Sequence, residues 1–240
     1  MSELFISYPR TFHLFGSKVA SGDKMLSARE TDELLARKDV TFYWESKLDG
    51  SNVAISVVDG IAKAQNRSHF LDQRVHPQYF LLKNWVSTFG DVLKDVLSDR
   101  YVMFGEWCYA VHTIKYSSLK HYFNEFDIWD RETSKFLGTP ERKAKIGWLE
   151  EMGVLAQVPV VHVGNININQ ARKMMDHKPY YGEDKPEGLY VKVEKDGEVI
   201  ERYKLVRDEF IQSIIDGGDH WASKPIEVQK LAEGVDIFNV

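Results

Sequence analysis

Short stretches alternating apolar and polar residues dominate the chain, and Gly-containing turn signals separate them. Tyr43 to Ser56 alternates on both sides of Asp49-Gly50, which predicts two strands. Asp-Gly between strands signals a hairpin, because Gly tolerates positive φ and Asp bonds its own backbone. Ile61–Gln65 is expected to pair back across Asp59-Gly60, leaving Asn66-Arg67-Ser68 at a strand end. Further strands are predicted over Tyr101–Tyr109, Phe123–Asp130, Val158–Val163, Glu187–Glu194 and Glu198–Val206, with Asp196-Gly197 joining the last two.

Helical spacing interrupts this pattern. Ser27 is positioned to cap a helix to about Lys38, with Glu30 completing a capping box. Between Pro77 and Ser98, Leu81, Leu82, Trp85, Val86, Phe89, Val92, Leu93, Val96 and Leu97 recur at helical spacing, a core-packing pattern. Thr139-Pro140-Glu141 opens a helix to about Met152, and Gly153 closes it. Weaker helical patterns cover Asn167–Asp176, Asp208–Asp216 and Pro225–Ala232, while Tyr8–Leu26 and His177–Pro186 read as irregular. Many strands with intervening helices predict an α+β fold of largely antiparallel sheets with flanking helices.

Composition narrows the class. A hydrophobic share of 43% and a charged share of 28% are those of a globular protein. The 240 residues allow one large domain or two small ones; without a repeat or linker, the expectation is one unit over 1–240 with a short helical tail from about 208. A net charge of −5 argues against a generally basic nucleic-acid coat but allows a local basic groove. Cys108 is the only cysteine, so no internal disulfide or cysteine-based zinc site can form. This fits a reducing, cytoplasmic setting. The start carries no signal pattern, and no apolar run approaches membrane-spanning length.

Candidate chemistry centres on Lys47, at a strand end beside a tight turn. Such a lysine is a candidate nucleophile if nearby cations or a metal lower its pKa. The competing reading is a solvated lysine, since K-x-D-G is short. Glu106 falls inside an apolar, aromatic strand, where a carboxylate is costly to bury without a partner; otherwise it faces solvent on the polar side of the sheet. For Phe126 the competing reading is core packing, and for Arg67, Lys192 and Arg202 a solvated face. The histidines are too scattered in sequence to propose a metal site, and His13 reads as structural.

Five segments stand in order: Lys47-Leu48-Asp49-Gly50, Phe104-Gly105-Glu106-Trp107, Phe126-Asp127-Ile128-Trp129, Glu187-Gly188-Leu189-Tyr190-Val191-Lys192 and Arg202-Tyr203-Lys204-Leu205. Together they resemble motifs I, III, IIIa, IV and V of the covalent nucleotidyltransferase superfamily of polynucleotide ligases and capping enzymes. Tyr8–Ser17 and Gly105–Tyr116 are similar to segments of compact phage and bacterial RNA ligases, and Lys47–Asn52 is similar to motif I of the RNA ligase 2 type. The resemblance implies an ATP-grasp-like ligase adenylation domain and an ATP-dependent RNA ligase. Its lysyl-AMP intermediate would pass AMP to a 5′-phosphate RNA end, which is then sealed to a 3′-hydroxyl. It implies ATP and Mg²⁺ (or Mn²⁺) as cofactors. Lys47, Asp49, Lys192 and Lys204 would be catalytic. Glu45, Asn52, Arg67, Glu106, Phe126, Glu187 and Arg202 would join Lys47, Lys192 and Lys204 around the nucleotide, with Glu187 and Glu106 at the metal. Too few residues follow Lys204 for the OB-fold domain of DNA ligases and capping enzymes. That favours RNA ligase over those alternatives, and leaves room for a partner protein that positions RNA. Lys83, Lys94, Lys115 and Lys120 are candidate RNA contacts. A non-catalytic RNA-end-binding module is the alternative from another class. For a phage-encoded chain the setting would be the host cytoplasm.

Overall fold

The computed structural model describes residues 4–19, 22–71, 75–175, 181–182, 184–210 and 225–239. Its strands are β1 (Phe12–His13), β2 (Thr41–Lys47), β3 (Ser51–Val58), β4 (Ile61–Asn66), β5 (Tyr101–Trp107), β6 (Phe123–Asp130), β7 (Lys135–Leu137), β8 (Ala156–Gln157), β9 (Val160–Val163), β10 (Gly188–Lys195) and β11 (Glu198–Val206). The helices are α1 (Ala28–Leu35), α2 (Phe80–Thr88), α3 (Gly90–Leu97), α4 (Thr139–Glu151) and α5 (Ile168–Met175).

One sheet runs β4-β3-β5-β6-β7-β11-β10-β2-β9. Every step on that path is antiparallel, while β1 joins β11 and β8 joins β6 in parallel. Asp59-Gly60 and Asp196-Gly197 both have positive φ at each residue, the geometry that matches strand twist in a two-residue hairpin. Asp49-Gly50 is different. The strands it joins do not pair: β2 lies between β10 and β9, and β3 between β4 and β5. The expected hairpin is therefore a crossover between the two halves of the sheet. Gly50 is needed there for close approach, since a Cβ would meet the Trp107 carbonyl oxygen at 2.7 Å.

Strand alternation sorts the side chains by face. On the helix-facing side, Val53, Ile55, Val57, Met103 and Trp107 pack with Leu82, Trp85, Val86 and Leu93 of α2 and α3. In the other half Phe42, Trp44, Leu189, Val191, Val193 and Leu205 pack with Leu34, Leu35, Ala171 and Met175 of α1 and α5. A third cluster, including Tyr8, Ala54, Phe104, Phe136 and Val199, joins the halves where their other faces meet. The inner-face positions of β2, β10 and β11 are then Glu45 and Lys47, Tyr190 and Lys192, Arg202 and Lys204. Charged residues thus converge between the two halves.

The Ser27–Glu30 capping box forms as expected, although α1 ends at Leu35. The single helix expected over 77–98 is a 3-10 turn at Pro77–Tyr79 followed by α2 and α3, interrupted at Phe89. The helix expected over Pro225–Ala232 does not form. Its backbone groups are used instead in bridges such as Ala110–Val228 and Leu119–Leu231, so the segment is an extended strap. The expected helix at 208–216 is described only at its start, 208–210, and the remainder lies outside the described residues, as do Asp176, 177–180 and 183. Among the described residues no helix is long and apolar enough to cross a membrane.

Candidate active site

Between the two halves opens a cavity of about 620 Å³. Lys47, Asn52, Arg67, Glu106, Phe126 and Lys204 line it, together with Glu45 and the unforeseen Tyr8, Thr11, Tyr79, Val158 and Tyr190. Lys47 ends β2 opposite Gly188, the first residue of β10. That register brings the adjoining Glu187 to Lys47, and the Lys47 Nζ donates to Glu187 Oε2 at 2.7 Å. Glu106 pairs across the ladder with Asn52.

The electrostatics are those of a crowded carboxylate site. Burial works to lower the Lys47 pKa, but Glu187, Glu106 and Asp49 outweigh it and hold the ammonium above its ordinary value. Among the described side chains, carboxylates and not cations set this shift. Lys204 is itself engaged, its Nζ donating to Asp23 Oδ2 at 2.9 Å, and Lys192 is elsewhere. Burial pushes the Glu106 carboxyl up to about 8, with Glu187 and Asp49 adding repulsion and Lys47 opposing. Glu187 is also raised by burial, against the pull of Lys47.

Four expected site residues lie off the cavity wall: Lys192, Arg202, Asp49 and Glu187, the last reaching the site through its ion pair with Lys47. Lys192 is fully buried, 3.0 Å from Glu45 Oε2 and 3.1 Å from Asp127 Oδ1, and it also donates to the Phe126 carbonyl. Arg202 is 3.6 Å from Asp127, with its guanidinium 4.0 Å from the centre of the Phe136 ring. Neither is on a solvated strand face, and neither lines the cavity. Strand register gives the reason. Lys192 and Arg202 are paired on β10 and β11, one inner-face row deeper than Tyr190 and Lys204; two residues of strand span roughly 6.6 Å. Glu45 reaches the cavity, but its carboxylate accepts from Arg142 at 2.5 Å, and Arg142 also donates to Glu125 at 3.1 Å. The third is Asp49. Its Oδ2 accepts from the backbone N–H of Thr113 at 2.7 Å and of Ile114 at 2.8 Å, while its own N–H donates to the Tyr116 hydroxyl. Asp49 therefore neither closes a hairpin nor faces the cavity; it ties the crossover to the 113–116 loop.

Several contacts had little or no signal in the chain. The Thr11 hydroxyl meets the Tyr190 hydroxyl at 2.5 Å, which donates to Tyr8, which donates to Asp127. Tyr8 and Thr11 fall in the Tyr8–Ser17 segment, the one place where a resemblance pointed to them. Asp23 bridges Lys204 and His13, a pairing across 181 positions that no local pattern reveals. Among the RNA-surface candidates, Lys83 and Lys94 share a second surface cleft, Lys94 pairs with Asp91, and Lys115 with Glu227.

A family model described as RNA ligase matches residues 40–206, and the chain belongs to that family. Solved structures of Naegleria gruberi RNA ligase are similar. The form with PPi has a TM-score of 0.62 at 20% identity, covering 88% of this chain and 63% of that one. A substituted form with ATP and Mn has a TM-score of 0.61 at 19% identity, covering 88% and 63%. Another, with AMP and Mn, has 0.57 at 18% identity, covering 86% and 62%. This chain therefore spans less than two thirds of those ligases, and at such identities the likeness carries the fold alone. No curated protein matches it.

Proposed function

We propose that this chain is an ATP-dependent RNA ligase of the nucleotidyltransferase type, with Lys47 as nucleophile. The observation that carries the reading is the Lys47 amine in the cavity between the two halves of the sheet, 2.7 Å from Glu187, in a chain of the RNA ligase family. The continuous sheet supports one adenylation unit, and similar folds hold ATP, AMP and Mn.

In this reading Lys47 loses its proton and attacks the α-phosphorus of ATP, a P–N bond forms, and the bond to pyrophosphate breaks. The 5′-phosphate of an RNA end then takes the AMP and frees Lys47. Finally an RNA 3′-hydroxyl attacks that activated phosphate, AMP leaves, and a phosphodiester remains. Glu187 holds the lysine at the cavity wall. Lys204 and Arg67 set positive charge on the walls, where it balances phosphate oxygens. Phe126 offers an aromatic face to the base, and Asn52 a polar contact opposite Glu106. Two carboxylates sharing one lysine suit a hard divalent cation, which takes oxygen ligands and keeps several waters. Glu187 and Glu106 would hold it, and when bound it supplies charge neutralisation at the phosphates. Asp49 and Lys192 enter as supports of this arrangement. RNA contact is expected to weaken as salt rises.

The test is incubation with α-labelled ATP or GTP and Mg²⁺, followed by denaturation. Acid-labile label from ATP alone, absent in Lys47→Ala, is expected. Label from GTP would shift the reading to capping, and none from either, in folded protein, would remove the ligase reading.

A further inference from the structure

The crossover Leu48–Gly50 lies outside both β2 and β3, so no strand ladder holds the turn beside Lys47. Its tethers come from the 109–119 loop, through Thr113, Ile114 and Tyr116. That loop is held in turn by the strap at 225–239. Gln229, almost fully buried at 3% exposure, inserts its side-chain amide into the loop. The Nε2 donates to the Ile114 carbonyl at 2.7 Å, and the Oε1 accepts from the Tyr116 N–H at 2.7 Å. Its backbone N–H donates to the Tyr109 carbonyl at 2.9 Å, and its carbonyl accepts from the Tyr122 hydroxyl at 3.0 Å. Ile237 anchors the far end of the strap in the main core.

Ile114 and Tyr116 are thus gripped from two sides. Asp49 holds the Ile114 N–H and the Tyr116 hydroxyl; Gln229 holds the Ile114 carbonyl and the Tyr116 N–H. An amide presents one donor and one acceptor side by side, which is what this pair of backbone groups demands. We propose that Gln229 is a positioning residue for adenylation: it fixes the 113–116 loop, which fixes Asp49 and the crossover, which sets Lys47 against Glu187. The proposal rests on the ligase reading above. It assigns the strap a part in the site that the family match, which ends at residue 206, does not reach.

Glutamate at this position gives a discriminating test. A protonated carboxyl copies the amide, with its O–H toward the Ile114 carbonyl and its C=O toward the Tyr116 N–H. An ionised one faces the Ile114 carbonyl with an acceptor and breaks the clamp. Burial and that carbonyl both favour the neutral acid. Titratable groups around the clamp include Asp49, Cys108, Tyr109, Tyr116, Tyr122, Tyr181, Asp184, Glu187, Lys230 and the exposed Lys115–Glu227 pair, so the variant is read as a ratio to the unsubstituted chain at each pH. Gln229→Ala is expected to slow lysine labelling at saturating ATP by about tenfold or more with little change in KM for ATP. Hydrogen exchange at the Asp49, Thr113, Ile114 and Tyr116 amides is expected to rise. Gln229→Glu is expected to label near the unsubstituted rate at low pH and to fall behind as pH rises.

A uniform loss in Gln229→Glu across pH, or unslowed labelling in Gln229→Ala with those amides exposed, would overturn the proposal. If Gln229→Ala does not fold, Gln229→Glu at low pH still decides. An unsubstituted chain that takes no label fails the ligase reading, and exchange in the variants separately decides whether the clamp exists.

Discussion

Two regions on the inner face of the sheet contain the same residue types and do opposite things. At the cavity wall, Lys47 faces Glu187 and Glu106 in a site open enough to admit a nucleotide. Behind it, the carboxylates of Glu45, Glu125 and Asp127 meet Arg142, Lys192 and Arg202 in a buried cluster. The deep cluster balances three acids against three bases. Burial raises the Glu125 carboxyl, while Lys192 and Arg202 overcome burial to hold Asp127 below its ordinary value. At the wall, burial pushes the Glu106 carboxyl up to about 8, with Glu187 and Asp49 adding to the rise and Lys47 opposing it. Matched charges in the buried cluster build a scaffold, whereas carboxylates around a lysine at an accessible wall leave oxygen ligands that a cation can use.

Substitution on each side should separate the two roles. Lys47→Ala, the largest effect, should cut labelling from ATP by about a thousandfold or more while barely moving Tm. Lys192→Met should destabilise the fold by about 3 kcal/mol, because Glu45 and Asp127 lose a buried counter-ion, and calorimetry should show Tm falling by roughly 6–12 °C. Unchanged Tm with lost labelling would return Lys192 to the catalytic group.

The Glu106 carboxyl tests the burial of the wall through pH. Its folded pKa of about 8 lies above the ordinary 4.5, so between those values the folded state binds the extra proton and stability falls as pH rises. Glu106→Gln should remove that loss, raising Tm relative to the unsubstituted chain by a few degrees more at pH 8 than at pH 5. Equal shifts at both would contradict it. The smallest effect is expected for Asp23→Asn, which loosens Lys204 at a partly exposed pair and should slow labelling by about two- to fivefold without unfolding.

How far such assignments were legible differs from residue to residue. Alternation placed Glu45, Lys47, Lys192 and Lys204 on strands, and period 2 puts each on the inner face. It could not say how deep each would sit, because depth depends on the register between β10 and β2, which pair across about 140 positions. Asp49-Gly50 carried a hairpin signal because Asp-Gly serves equally well as a crossover packed against Trp107. The strap at 225–239 read as a helix because its local spacing allowed one; the loop at 109–119 took its backbone hydrogen bonds instead.

By itself, the chain determined its strands of four residues or more but not the short β1, β7 and β8, along with most of its turns, the α1 cap and the order of the five charged segments, since these depend on periods and propensities spanning a few residues. Only the tertiary structure decided which lysine reaches the cavity and which is sealed behind it, what Asp49 holds, and what Gln229 grips. Those outcomes depend on pairings between distant strands and on the dielectric at each depth, and neither is a local property of sequence.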